Sequence, residues 1–160
     1  MELFIRPDGI LQIDNAWITY RNFAGLGDQF NREGDRHFTL VIEDEGIAER
    51  LANEGWNVRL KPPRLEGDNP RWHLKVKVKF TEWGPHVYLV TNGRKHKLDE
   101  ESVQRLDKVR IGNVRMDIRP YDWTMGTGKS GRTAYLQSIE VHQRIDDRFA
   151  MEYEDDELPM

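Results

Sequence analysis

The chain has 160 residues, 38% of them hydrophobic and 32% charged, with five histidines and no cysteine. That length suits one domain with a real core. The absence of cysteine excludes a disulfide framework, a thiolate metal site and a cysteine nucleophile. No apolar run approaches the roughly 20 residues that span a bilayer, and MELFIRPDG lacks the basic-then-apolar pattern of a secretory signal, which fits a cytoplasmic protein with no membrane partner. The net charge of −4 is unevenly spread: residues 146–160 hold seven acids and one arginine, so residues 1–145 carry +2.

Residues 10–22 (ILQIDNAWITYRN) predict one long first strand, rich in Ile, Trp, Thr and Tyr. Residues 24–36 predict a long polar loop around Phe30, of a kind that often carries function. Residues 37–42 (HFTLVI) predict a second strand. Asp44 can cap a short helix over 45–54, with Ile47, Ala48 and Leu51 as its apolar stripe and Gly55 beyond its end. WNVRLK, 56–61, predicts a strand with Arg59 and Lys61 on one parity, and a proline-rich connection follows over 62–71. Trp17 and Trp56 are expected in the core.

Residues 73–80 (HLKVKVKF) alternate most cleanly. Leu74, Val76, Val78 and Phe80 point one way and Lys75, Lys77 and Lys79 the other. Such a lysine stripe suits a phosphate track, and it equally suits a guarded sheet edge. HVYLVTN, 86–92, predicts a further strand, after which Gly93 opens a basic turn over 94–97. Asp99 caps a second short helix over 100–108, with Leu98 and Val103 placed as a hydrophobic staple.

Residues 114–142 predict a β-hairpin around a glycine-rich turn. Val114, Met116 and Ile118 share one face, while Arg115, Arg119, Tyr121 and Trp123 share the other. Guanidinium groups and flat rings on an outward face suit nucleobases and phosphate, although such rings can also pack under a loop. The tally is about seven strands, two short helices and long loops. The fold class it supports is mainly β: an antiparallel, partly open barrel like the oligonucleotide-binding (OB) fold, with a β-sandwich as the alternative.

GTGKSGRT, 126–133, invites a P-loop reading that fails on spacing. The pattern G-x-x-x-x-G-K-[ST] needs glycine where Trp123 stands, and a P-loop opens a helix, not a second strand. What survives is a turn whose Lys129 and Arg132 can meet phosphate. The five histidines show no metal-ligand spacing, no catalytic constellation is spelled out, and nothing calls for a cofactor or an enzyme.

The cations and rings are more informative. Tyr20, Arg21 and Phe23 close the first strand, and Arg32 and Arg36 lie in or at the end of the loop after it. Arg59, Lys61, Arg71 and Trp72 surround the proline-rich connection, followed by the lysine stripe. Single-strand binders need cations along the backbone and rings for bases, and both occur here interleaved. The end of the chain places Glu154, Asp155, Asp156 and Glu157 before Leu158, a composition that cannot order itself by burial. It reads as a solvated end or as an electrostatic mimic of DNA that also meets protein partners.

The order of ITYRNFAG, FNREGDRHFTLVIED, GWNVR, a lysine-alternating strand, HKLDEESV, VRMDIRPYDW and GKSGRTAYLQSIEV resembles the single-stranded DNA-binding proteins of tailed bacteriophages over nearly the whole chain. The resemblance implies an OB-fold domain over 1–145 and an acidic tail over 146–160. It implies binding to single-stranded DNA in phage replication, recombination and repair, with the tail contacting replication proteins. Candidate DNA contacts are then Tyr20, Arg21, Phe23, Arg32, Arg36, Arg59, Lys61, Trp72, Lys75, Lys77, Lys79, Arg119, Tyr121, Trp123, Lys129 and Arg132. A homodimer is compatible with the sequence. A β-barrel adaptor or inhibitor of another protein stays open as the alternative, as does RNA or duplex DNA as the ligand.

Overall fold

The computed structural model describes residues 1–145; the acidic segment 146–160 lies outside the described residues. The described chain runs through β1 (Glu2–Ile5), β2 (Leu11–Asp14), β3 (Trp17–Asn22), β4 (Arg36–Ile42), α1 (Glu45–Asn53), β5 (Arg59–Lys61), β6 (Arg71–Val78), β7 (His86–Thr91), β8 (Arg94–Leu98), a 3-10 helix (Val103–Asp107), β9 (Ile111–Thr124) and β10 (Ser130–Gln143). The architecture is mainly β and OB-like.

The long hairpin forms as its alternation predicts. β10 pairs antiparallel with β9 from Ser130↔Thr124 to Gln143↔Ile111. Its other edge pairs in parallel with β6 at Ala134 and Tyr135, then in parallel with β7 from Ser138 to His142. The handover coincides with a register shift between Leu136 and Ser138. A bulge bends the strand there, so one strand serves two neighbours in succession. The sheet is therefore mixed, not purely antiparallel.

The predicted strand 10–22 is two strands. Asn15 adopts φ 52°, a left-handed conformation that asparagine tolerates better than most residues. The Ala16 N–H donates to the Val114 carbonyl across the corner, at 2.8 Å. The first half pairs with β9 and the second with β4. The strand order β1-β2-β9-β10-β6-β4-β3 thus begins and ends near one bent stretch of chain, and the sheet curls around a single core. Leu11, Ile13, Phe38, Leu40, Leu74, Val76, Val114, Met116, Ile118 and Leu136 fill it. All sit on the inward parity of their strands.

Other expectations are corrected locally. Residues 94–97 are not a turn but most of β8; the turn is Asn92-Gly93, with φ 52° and 78°, the pair of positive values that a tight hairpin demands. Only Arg59–Lys61 of the predicted strand 56–61 pairs. Asp44 caps α1 through the Ile47 N–H as predicted. The second helix shrinks to a 3-10 turn: the Asp99 carboxylate accepts from the N–H groups of Glu101 and Ser102, closing a turn before it. β1 adds a strand that the sequence reading missed. Trp56 is buried as expected, but Trp17 is 40% exposed because it shares the outward parity opposite to Ile18.

The end of β3 is fastened to the 3-10 helix. Thr19 faces Thr39 but Asn22 faces His37, so three steps on β3 match two on β4. The extra residue makes a bulge at Tyr20, whose φ is 48°. Beyond it Arg21 donates to the carbonyls of Leu106 and Val109 at 2.6 and 2.8 Å. The Asp107 carboxylate accepts from the N–H groups of Phe23 and Ala24 at 2.7 and 2.9 Å. Asp107→Asn turns one acceptor into a donor against an N–H and should destabilise the fold by about 1–3 kcal/mol, measurable by urea denaturation.

Candidate nucleic-acid interface

Strand register decides which side chains share the outer surface. Arg119 faces Tyr135, Tyr135 faces Lys77, Lys77 faces His37 and His37 faces Asn22. One row therefore crosses β9, β10, β6, β4 and β3. Two residues away along the strands lie Tyr121 opposite Thr133 and Lys75 opposite Thr39, which faces Thr19. Another step brings His73 opposite Val41 and Val41 opposite Trp17. The intervening residues, among them Ile18, Phe38, Leu40, Leu74, Val76 and Ala134, point into the core. The hairpin's rings and the lysine stripe thus occupy one wall.

Rings and cations on this wall meet one another. The Arg119 guanidinium lies 4.8 Å from the Tyr135 ring centre, and Tyr121 meets Tyr135 edge-on at 6.1 Å. Arg71 lies 4.5 Å over Trp17, a favourable cation–π geometry. Tyr20 would point inward in an unbroken strand. The bulge turns it out, where it is 64% exposed and meets His73 edge-on at 6.0 Å. Backbone strain of this sort clusters at functional sites.

Beside Tyr20 the surface deepens into a groove of about 1050 Å³. Arg59, Lys61, Arg64, Arg71 and Lys75 line it, against two carboxylates, Glu43 and Asp68. Among the described residues no carboxylate ion-pairs with Arg59, Lys61, Arg64, Lys75 or Lys77. Their charge is available to an anionic ligand. Burial and the neighbouring cations Lys61 and Arg71 hold the His73 imidazole below its usual pKa. His37 is likewise lowered, by burial and by Lys75, against the opposing pull of Asp28, Asp35 and Asp107.

The sequence-predicted residues divide by placement. Tyr20, Arg59, Lys61, Lys75, Lys77, Arg119 and Tyr121 share the wall or its groove. Lys79 continues the stripe one step past β6 and is exposed, as are Arg32 in its loop and Lys129 at the hairpin turn. Two expected rings are turned away. Phe23 is fully buried and stacks on Phe38, with ring centres 5.3 Å apart. Trp72 faces Ile42 on the inward parity and packs against the core.

Several cations have structural duties. Arg21 is engaged by the two carbonyls of the 3-10 region. Arg36 lies over Phe80 and pairs with Glu100. Arg132 grips the Asp122 carboxylate in a two-pronged bond, donates to the Glu54 carbonyl and covers Trp56. That bond raises the Arg132 pKa and lowers that of Asp122. Trp123 lies across Gly131, where a Cβ would come within 2.5 Å of its ring. Gly131, the second glycine of GKSG, therefore makes room for an indole.

Trp17, Arg64, His73 and Tyr135 belong to the wall or groove although the sequence alone does not mark them as contacts, and Arg71, marked there as a cation beside the proline-rich connection, joins them. Parity alone flags Tyr135, two residues after Thr133 in TAYLQ; the others needed the strand order. No cluster of His, Asp or Glu suited to a metal ion occurs among the described residues, and no described helix is long and apolar enough to cross a membrane.

The fold recurs in known proteins. The single-stranded DNA-binding protein of bacteriophage Enc34, in its complex with ssDNA, superposes with a TM-score of 0.56 at 17% identity, over 91% of this chain and 92% of that one. A C-terminally truncated form of the same phage protein gives a TM-score of 0.56 at 15% identity, with coverages of 91% and 92%. At these identities the likeness establishes the fold. A sequence search of curated proteins found no match. The family model described as "Putative phage ssDNA-binding domain" matches residues 4–158. Matched over nearly its whole length, this chain belongs to the phage ssDNA-binding domain family.

Proposed function

We propose that the chain binds single-stranded DNA along the wall formed by β9, β10, β6, β4 and β3, with the groove beside Tyr20 as its deepest part. The observation that carries this reading is one continuous surface on which cations without acidic partners among the described residues lie beside exposed rings. Lys75, Lys77, Arg59, Lys61 and Arg64 would follow the phosphates. Tyr20, Trp17, Tyr121 and Tyr135 would stack bases. Contacts of this sort read no base edge, so sequence preference should be small. Family membership, and the ssDNA complex of the Enc34 protein that shares the fold, support the ligand class. The role in the phage cycle would be to coat exposed strands during replication, recombination and repair, without catalysis.

Fluorescence anisotropy with labelled single-stranded and duplex oligonucleotides over a salt series tests the reading. Single strands should bind more tightly, with log affinity falling linearly against log salt. Replacing Lys75 and Lys77 by alanine should reduce that slope by roughly 1.4, about 0.7 per phosphate contact. In the same assay Tyr20→Ala should cost about 1–3 kcal/mol. No binding to any oligonucleotide would reject the proposal and favour the adaptor reading.

The wall should also respond to pH. His37 and His73 have lowered pKa values, so both are mainly neutral at pH 7. A nearby phosphate favours the imidazolium and would raise those values, so binding takes up protons. Affinity for single strands should therefore rise as pH falls from about 7.5 towards 5.5. In the double variant His37→Gln, His73→Gln that rise should flatten.

Residues 146–160 carry −6 and would compete for the wall when no DNA is present, besides offering acids and Leu158 to replication proteins. Removing them should tighten single-strand binding at low salt; equal or weaker binding by the truncated chain would rule the competition out.

A further inference from the structure

Two rings stand apart from the wall and are the most exposed aromatics of the described chain: Phe30 at 89% and Trp83 at 84%. Neither stacks on another ring or on a cation among the described residues. Both are nevertheless held on well-bonded backbone. Trp83 tops a four-residue turn in which Thr81 and Gly84 exchange N–H···O bonds of 2.7 and 3.2 Å, and its own N–H donates to the Thr81 hydroxyl. Phe30 tops a loop in which the Asp28 carboxylate accepts from the N–H groups of Phe30 and Asn31. The Asn31 amide then donates to the carbonyls of Leu26 and Asp35.

Topology brings both segments to one end of the wall. The Phe30 loop leaves β3 after Asn22 and returns at Arg36, which faces Val78, the last residue of β6. The Trp83 turn leaves that same end of β6, past the exposed Lys79. Arg71, Trp17 and the deep groove occupy the opposite end. A ring whose backbone is already fixed loses little freedom when it is covered, and two bare rings at the end of a cationic lane suit the flat faces of bases.

We infer that Phe30 and Trp83 form a second stacking station, at which a single strand leaving the lysine lane at Lys77 and Lys79 is gripped beyond the sheet. This rests on the wall being the DNA site. The strand would need enough length to reach from the groove past Lys79. Short oligonucleotides would fill the groove alone, and longer ones would engage both stations.

The test is anisotropy of the full-length chain with oligothymidylates of about 6 and about 20 nucleotides, comparing the wild type, Phe30→Ala with Trp83→Ala, and Lys75→Ala with Lys77→Ala. Both rings are exposed, so the double ring variant should keep the wild-type circular dichroism. It should bind the longer strand about tenfold or more weakly, given roughly fivefold per lost stack, and the shorter one within about twofold. Wild-type affinity for the longer strand, or an equal loss for both lengths, overturns the station alone if the lysine variant still weakens both. If the wild type binds neither strand, or the lysine variant binds as the wild type does, the wall itself is wrong and the station falls with it.

Discussion

The double allegiance of β10 organises the molecule. Along one edge it pairs with β9 throughout; along the other it pairs first with β6 and then with β7. Because the β6 contact is parallel and places Tyr135 beside Lys77, the outward parity of the hairpin and that of the lysine strand fall on the same side of the sheet. A one-residue slip in that register would carry every lysine to the core side. Slippage is opposed by the buried alternates Ala134, Leu136, Leu74 and Val76. Burying one lysine uncompensated would cost far more than any surface contact returns. The apolar core thus fixes the charge pattern outside.

A second constraint acts at the end of β3. Four side-chain bonds from Arg21 and to Asp107 tie that segment to the 3-10 region, and Phe23 anchors it in the core against Phe38. These contacts hold the extra residue in the strand, and the extra residue directs Tyr20 outward. Arg21, Phe23 and Tyr20 were read from the sequence as three equivalent candidates. They are instead two fasteners and the ring they present.

That contrast shows what the sequence could disclose. Period-two alternation located β6, β9 and β10 and told inward from outward along each, because burial of one face imposes that pattern directly. Asp44 and Gly55 bracketed α1 by local backbone chemistry. Alternation is blind to bulges and corners, since one left-handed residue inverts the parity beyond it. Asn15 and Tyr20 both do this, which is why 10–22 read as one straight strand and Phe23 as an outward ring. Asn92-Gly93 carried a legible hairpin signal that the adjoining run of cations obscured. Parallel contacts between strands far apart in the chain leave no local trace, so the union of Arg119 and Tyr121 with Lys75 and Lys77 needed the structure.

The distribution of ion pairs separates structural charge from available charge. On the outer surface beyond the β10 bulge, Glu140 is 15% exposed and collects Lys95, Arg115 and His142. Burial pushes its carboxyl up, but hydrogen bonds from those three partners outweigh it and pull the pKa down to about 2. The carboxylate is fully matched there, and with Lys95 and Arg115 against the one Glu140 the cluster keeps a net positive charge. Arg132 and Arg36 are matched in the same way by Asp122 and Glu100. Among the described residues the cations around Tyr20 have no such partners, and they repel one another. Unpaired cations occur elsewhere among the described residues, Lys108 and Lys129 for example. Arg59, Lys61, Arg64 and Lys75, however, converge on one groove, where their attractions for an anion add, and the rings alongside favour an anion that carries flat bases.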